Sequence, residues 1–269
     1  MMDTWSIYFQ GLAIILAMGV ATWVYSVARK DVSIVDSLWS LMFLAASLSY
    51  AYTAGITGSG NVLLLVLVAA WSLRLAFFLT LRNWGQPEDR RYQEIRRNNE
   101  PNFALKSLYI IFGLQGMLAW IISVPLLLAL TTNLEINALI VVASVLWLAG
   151  FVIESVADFQ LYRFKNNPDN EGKVLSSGLW HYSRHPNYFG EFLIWWSFYL
   201  FALAAGAWWS VFSPLLMTIL LLRVSGVALM EKDISDRRAD YREYIENTSA
   251  FVPWKPRHRS MQLERGHKA

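Results

Sequence analysis

The chain has 269 residues, of which 55% are hydrophobic and only 16% are charged, and its formal net charge is +3. Soluble globular domains carry about a quarter charged residues, so this composition excludes that class and is typical of a membrane protein with several spans. Because the chain has no cysteine, a disulfide framework and a thiolate metal site are both excluded.

About seven segments are long and apolar enough to cross ~30 Å of hydrocarbon. In chain order they are Trp5–Ala28, Ile34–Ala54, Val62–Leu81, Leu108–Leu130, Ala138–Phe159, Tyr188–Ala204 and Trp208–Met230. We therefore expect an all-α polytopic integral membrane protein, with residues 1–269 forming a single transmembrane domain. Pro125 is expected to kink the fourth span, since proline removes a helical hydrogen bond.

Lysine and arginine occupy alternate connections between these spans. They lie at 29–30, 82–106, 163–184 and after 230, whereas the connections at 55–60, 131–137 and 205–207 contain none. Basic loops stay in the cytoplasm, so this pattern predicts an N-terminus outside and a cytoplasmic C-terminus.

Ionisable residues within the predicted spans gather at their cytoplasmic ends. An unpaired charge at the centre of a membrane helix costs ~2.5–3.5 kcal/mol. We therefore expect these groups to pair around a cavity open to the cytosol; snorkelling to the interface would explain one of them, but not six. They are Asp36, Arg74, Glu154, Asp158, Glu191 and Arg223.

The run Gly178–Glu191 crowds two histidines, an arginine, an asparagine and a carboxylate just before an apolar span. Carboxylates can accept from ribose hydroxyls, and arginine and lysine bind phosphates, so the run is suited to a nucleotide. The alternative is an ordinary basic loop at the membrane surface. No dinucleotide fingerprint, P-loop or hydrolase motif is present. Pro186 argues against a helical histidine pair, so no metal site is expected.

The segment Arg184-His-Pro-Asn-Tyr-Phe-Gly-Glu191 resembles the signature of the membrane superfamily of steroid 5α-reductases, sterol reductases and isoprenylcysteine methyltransferases. Glu231-Lys232 and Thr248–Trp254 resemble the C-terminal end of its bacterial reductase-like branch, and Asp31–Trp39 is a weaker match. Asn187 and Glu191 favour the reductases over the methyltransferases, and Lys232 stands where the methyltransferases carry the second of two paired glutamates. The resemblance thus implies a reductase of the bacterial inner membrane whose active site faces the cytoplasm.

The resemblance also implies that NADPH is the cofactor and is held by residues of about 138–254. Such enzymes deliver a hydride to the β-carbon of a polarised C=C bond while an acid stabilises the developing enolate. The matching positions are Asp158, Lys165, Arg184, His185, Asn187, Glu191 and Arg223, followed by Tyr182, Glu231 and Tyr244.

The substrate acid is where the sequence departs from the steroid reductases. The resemblance places Asp36 opposite a glutamate and Trp71 opposite a tyrosine that bind the substrate's keto oxygen. Tryptophan donates a hydrogen bond but is not an acid, so Asp36 is the candidate catalytic residue, unless pairing with Arg74 makes it structural. Gln115 is a further candidate for substrate contact. The charged segment between residues 83 and 102 is expected to be a solvated lid or lipid contact rather than catalytic.

The expected partners are a lipophilic small-molecule substrate and membrane lipids, with no nucleic acid. The substrate is a steroid or another lipid enone. Two other functions stay open at this point: an S-adenosylmethionine-dependent membrane methyltransferase, and a non-enzymatic scaffold or transporter.

Overall fold

The structure, a computed structural model, describes residues 3–224 and 240–256. The described residues form helices joined by short connections and include no strand, which confirms the all-α prediction. The α-helices are α1 (Thr4–Arg29), α2 (Ile34–Ala54), α3 (Ser59–Asn83), α4 (Arg90–Asn99), α5 (Phe103–Ser107), α6 (Leu114–Ile122), α7 (Val124–Leu130), α8 (Ala138–Lys165), α9 (Pro186–Ala204), α10 (Phe212–Ile219) and α11 (Asp240–Asn247).

Five helical segments within the described residues are long and apolar enough to cross a membrane. They correspond to the first five predicted spans, and α2 has the predicted bounds. A shorter apolar helical run covers Trp208–Arg223, and α9 covers the predicted sixth span. The chain is thus a helical membrane protein, while seven spans and their orientation stay predictions.

The fourth predicted span is interrupted in two places. A π-helical turn at Leu108–Gly113 separates α5 from α6, and the helix breaks at Ser123 before Pro125 enters α7. Because proline has no N–H to continue the helical ladder, the break falls where a proline-induced kink is expected. The Ser123 hydroxyl donates to the carbonyl of Trp120 and contacts Tyr50, so the break is held by side chains.

The chain divides into two compact units. Unit 1 comprises residues 1–147 with 195–217, and unit 2 comprises 148–194 with 218–269. In unit 1, α2 packs against both α1 and α3 and also meets α6 and α7. Its core is aromatic: the rings of Phe43, Trp71, Trp195 and Phe198 are almost fully buried and in mutual edge contact.

At one end of unit 1, Asn61 joins the start of α3 to the segment that follows α7. Its buried side-chain amide donates to two backbone carbonyls, at 2.7 and 2.8 Å, and accepts from one backbone N–H at 2.9 Å. Gly58 and Gly60 allow this approach, because a Cβ at either residue would lie within 3.0 Å of the Leu134 carbonyl oxygen. Three hydrogen bonds from one buried side chain fix this end of the unit.

Candidate functional site

The carboxylate of Asp36, in the first turn of α2, is the centre of a polar cluster in unit 1. Arg91 Nη2 lies 2.8 Å from its Oδ2, and the hydroxyl of Tyr92 donates to its Oδ1 at 2.5 Å. The Asp36 side chain is 17% exposed, so both contacts are largely shielded from solvent. Asp36 is therefore paired with α4 and not with Arg74, which corrects the pairing considered from the sequence.

Helix α4 is held in place by its own N-terminus. Asp89 caps the helix by accepting from the backbone N–H of Arg91 at 3.0 Å, and its own N–H donates to the Ser33 hydroxyl at 2.8 Å. Glu88 accepts from the N–H of Val32 at 3.0 Å and forms an ion pair with Arg96 at 2.7 Å. Side-chain caps and buried ion pairs of this kind order a short helix that would be marginal alone.

The Tyr92 hydroxyl is the inner end of this cluster, which we call the Asp36 cluster (Asp36, Asp89, Arg91, Tyr92 and Gln115). Tyr92 is 6% exposed, and Gln115 Nε2 lies 3.3 Å from its oxygen. Burial raises the pKa of Tyr92 well above its ordinary value, and the charge of Asp36 raises it further. Tyr92 consequently stays protonated through the neutral range and keeps a hydrogen to donate.

Arg91 contacts both carboxylates of the cluster, Asp36 and Asp89. Burial alone would raise the pKa of Asp89, but hydrogen bonds and charge from Arg91 outweigh it and lower that pKa. Burial alone would lower the pKa of Arg91, but the charges of Asp36 and Asp89 outweigh burial and raise that pKa. A guanidinium between two carboxylates can satisfy both because it carries five donors in a fixed plane.

The other two predicted substrate residues lie on α3. Trp71 is fully buried in the aromatic core, and its indole N–H has no hydrogen-bond partner among the described residues. Arg74 is partly buried one turn further along. The structure thus brings Asp36 and Gln115 together through Tyr92, whereas the substrate roles of Trp71 and Arg74 stay predictions.

Unit 2 holds a second polar group, built on a close crossing of α8 and α9. A Cβ added to Gly150 would lie 2.6 Å from the Gly190 carbonyl oxygen, and one added to Gly190 would lie 2.6 Å from the Glu154 nitrogen. The two backbones therefore touch, which only glycine permits. This contact places the polar side chains at the end of α8 beside the first turn of α9.

At this crossing lie four predicted cofactor residues, of which Asp158, His185 and Glu191 are buried and Asn187 is partly buried, together with Glu154. Asn187 Nδ2 donates to Asp158 Oδ1 at 3.2 Å, and the His185 ring stacks on Tyr188 with the planes 3° apart. The exposed fractions are 2% for Glu154, 4% for Asp158, 4% for His185 and 9% for Glu191. We call these residues the α8–α9 cluster (Glu154, Asp158, His185, Asn187 and Glu191).

Arg184 and Tyr244 hold the loop that precedes α9 against the C-terminal segment. Arg184 Nη1 donates to the carbonyls of Ile245 and Thr248, at 2.9 and 2.7 Å, at the end of α11. The Tyr244 hydroxyl donates to the carbonyl of Trp180. Cations suit the carbonyl end of a helix, so this part of the Arg184 guanidinium is a helix cap. A cofactor contact for either residue stays a prediction.

Three of the remaining predicted cofactor residues are not buried in the α8–α9 cluster. Tyr182, Lys165 and Arg223 are exposed, with Arg223 in the π-helical turn Leu220–Val224. Glu231 lies outside the described residues, so its role stays a prediction.

Sequence reasoning missed Arg91 and Tyr92, because the segment between residues 83 and 102 was expected to be solvated. It instead contains α4, and its tyrosine is buried. The available signal was Asp89, an N-cap residue type, directly before a run with helical amphipathic spacing. The contact with Asp36 itself spans 56 residues and has no local signature.

The protein family model described as "Protein of unknown function (DUF1295)" matches residues 22–248. An uncharacterized protein of Schizosaccharomyces pombe (strain 972 / ATCC 24843) is 27% identical over 273 residues, which cover 90% of this chain and 78% of that protein. No solved structure matches the chain.

Proposed function

The chain belongs to the DUF1295 family, and we propose that it is an NADPH-dependent membrane reductase that reduces a polarised C=C bond in a lipophilic substrate. The observation that carries the proposal is the buried Tyr92 hydroxyl, which lies between a carboxylate and an amide. An arrangement with one protonated donor in a shielded polar cluster suits a carbonyl oxygen that gains negative charge.

The proposal reassigns the catalytic roles within the Asp36 cluster. Asp36 is ion-paired with Arg91 and accepts from Tyr92, so it acts as a positioning residue that orients both side chains. Tyr92 turns its hydroxyl hydrogen from Asp36 to the substrate's carbonyl oxygen. Its raised pKa makes it a hydrogen-bond donor that stabilises an enolate rather than a group that gives up its proton completely.

The reduction balances with one hydride and one proton. Bound NADPH would supply the hydride for a new C–H bond at the β-carbon; the C=C electron pair would then form the enolate double bond, and the carbonyl π pair would move onto the oxygen. The enolate is held by Tyr92, and a proton from water then completes the α-carbon. Arg91 offsets the charge of Asp36, which would otherwise repel the developing oxyanion.

The donor set of unit 2 is suited to NADPH. Glu154, Asp158 and Glu191 are buried carboxylates that would accept from ribose hydroxyls or the nicotinamide carboxamide, and Asn187 offers an amide beside them. Lys165 and Arg223 are exposed cations that would bind phosphates. The observation that supports the fit is the 3.2 Å contact between Asn187 and Asp158, with the buried carboxylates of Glu154 and Glu191 one helical turn away on α8 and α9.

Binding of the two candidate cofactors to the purified protein tests the proposal. NADPH and S-adenosylmethionine are titrated separately into the detergent-solubilised full chain, and saturable binding of NADPH alone is expected. Asn187→Ala should weaken NADPH binding at least tenfold, because it removes the amide that contacts Asp158. The matched control is Asn98→Ala, which removes the same amide from an exposed position of α4 and should leave binding unchanged.

Saturable binding of S-adenosylmethionine with none of NADPH would replace the reductase proposal with the methyltransferase. Binding of neither nucleotide by a folded protein would remove both enzymes.

A further inference from the structure

A groove lies on unit 1 between the last turns of α1 and the first turn of α2. It is lined by Ala21, Thr22, Tyr25 and Ile34 and encloses about 380 Å³. This volume falls in the range of small-ligand sites, and the lining is mainly apolar. The groove faces away from the core, because Tyr25 is 52% exposed and α1 buries little of its surface.

Two cations lie at the end of the groove. Arg29 follows Thr22 by two helical turns and Tyr25 by one, so the three share a face of α1. Lys30 ends the helix in the left-handed conformation, with its N–H bonded to the carbonyls of Ser26 and Val27. The groove therefore runs from an apolar wall to a positively charged mouth.

The acidic residues near this mouth already have partners. Asp31 accepts from the N–H of Ser33 at 2.8 Å, Glu88 is paired with Arg96, and Asp36 and Asp89 are bound to Arg91. Arg29 and Lys30 make no side-chain hydrogen bond or ion pair within the described part of the chain, and both are exposed. The mouth thus presents two cations without ion-pair partners among the described residues, of which only Lys30 is adjacent in sequence to an acidic residue, Asp31.

The turn that carries these cations is fixed rather than loose. Arg96 Nη2 donates to the carbonyl of Lys30 at 3.2 Å, and the N–H of Asp31 donates to the carbonyl of Ser26 at 3.1 Å. An apolar groove beside a tyrosine, with two cations on an ordered backbone turn, matches a lipid with an acyl chain and an anionic head.

We propose that this groove binds one anionic phospholipid, with an acyl chain against Ala21, Thr22 and Ile34 and the phosphate at Arg29 and Lys30. Tyr25 lies between chain and head and is placed to donate its hydroxyl to the ester or phosphate oxygens. The site is separate from the proposed reductase chemistry and does not depend on it.

Native mass spectrometry of the full chain with added phosphatidylglycerol or phosphatidylcholine of identical acyl chains tests the site. The wild-type protein should retain one phosphatidylglycerol in preference to phosphatidylcholine. Arg29→Gln and Lys30→Gly should each reduce that preference about fivefold, the factor that corresponds to one basic residue at an anionic membrane surface. Glycine is chosen at Lys30 because its φ of 54° is left-handed.

Two controls separate the groove from general attraction to charge. Arg97→Gln removes an exposed cation of α4 and should leave the preference unchanged, whereas an equal loss would overturn the proposal. Ala21→Phe fills the groove and should reduce retention of both lipids, while Val27→Phe on the opposite face of α1 should not. The site would also be refuted if the wild-type protein retained the two lipids equally, or if its measured mass were that of a protein dimer without bound lipid.

Discussion

Replacement of Tyr92 by phenylalanine is the most direct test of the proposed chemistry, because it removes a single oxygen from the Asp36 cluster. That oxygen donates to Asp36 at 2.5 Å and lies 3.3 Å from Gln115 Nε2. The ring is retained, so the packing of α4 against the rest of unit 1 should persist. Asp36 keeps its ion pair with Arg91 in the variant.

The expected losses differ for activity and stability. Removal of one donor to an oxyanion typically lowers kcat by about 10²–10³. A hydrogen bond to a charged group contributes about 1.5–3 kcal/mol, which sets the expected loss of folding free energy. The kcat should therefore fall at least a hundredfold while the protein still folds, and KM should change little because the apolar contacts to substrate remain.

The assay follows NADPH consumption with cholestenone as the probe enone, in detergent-purified protein, alongside thermal unfolding. Tyr109→Phe is the matched control, since Tyr109 is 61% exposed and lies outside the Asp36 cluster. Its kcat should equal that of the wild type. A Tyr92→Phe protein that unfolds normally and turns over within twofold of the wild-type rate would refute the donor role of Tyr92.

Three further predictions concern the fold and its pH dependence. Gly190→Ala should lower the unfolding free energy by about 1–3 kcal/mol and weaken NADPH binding, because the new Cβ would lie 2.6 Å from backbone atoms of α8. The control is Gly19→Ala, whose Cβ would meet nothing nearer than 3.8 Å and which should unfold at the wild-type temperature in the same thermal assay. Asn61→Ala should lower the unfolding free energy by about 3 kcal/mol in denaturant titrations, since it leaves three buried backbone groups without partners; an unchanged midpoint would contradict this. The raised pKa of Tyr92 means that its contribution to stability is complete below its ordinary pKa of 10.0 and is lost as the pH rises further. Unfolding temperatures should therefore fall above that pH, and less steeply in Tyr92→Phe than in the wild type.

The membrane helices were predictable from sequence because apolar length is a local property. The bounds of α2 match the prediction, and the break near Pro125 follows from the missing N–H of proline. The π-helical turn before Gln115 was not predictable, since no residue type in Leu108–Gly113 requires an extra residue per turn. That turn changes which face of α6 presents Gln115.

The candidate site was predictable only in part, because the sequence shows single polar residues but not the distant residues that contact them. Asp36, Asn187 and Asp158 stand out in the sequence because polar residues in apolar helices are costly. Their partners are not local: Tyr92 reaches Asp36 across 56 residues, and Asn187 reaches Asp158 across 29. Arg184 shows that a residue can also have a contact that its motif does not indicate. Its sequence context indicates a phosphate ligand, whereas its Nη1 caps the last turn of α11.

The close crossing of α8 and α9 is the feature of unit 2 on which the proposed nucleotide site depends. Glycine within a helix costs about 0.5–1 kcal/mol relative to alanine, and the crossing uses Gly150 and Gly190. Each charged group at membrane depth costs a further ~2.5–3.5 kcal/mol before it is paired. An apolar crossing with larger side chains would avoid both costs. The arrangement instead brings Asp158 within 3.2 Å of Asn187 and keeps Glu154 one helical turn from Asp158, so the crossing costs stability but gathers the polar side chains that the proposed site requires.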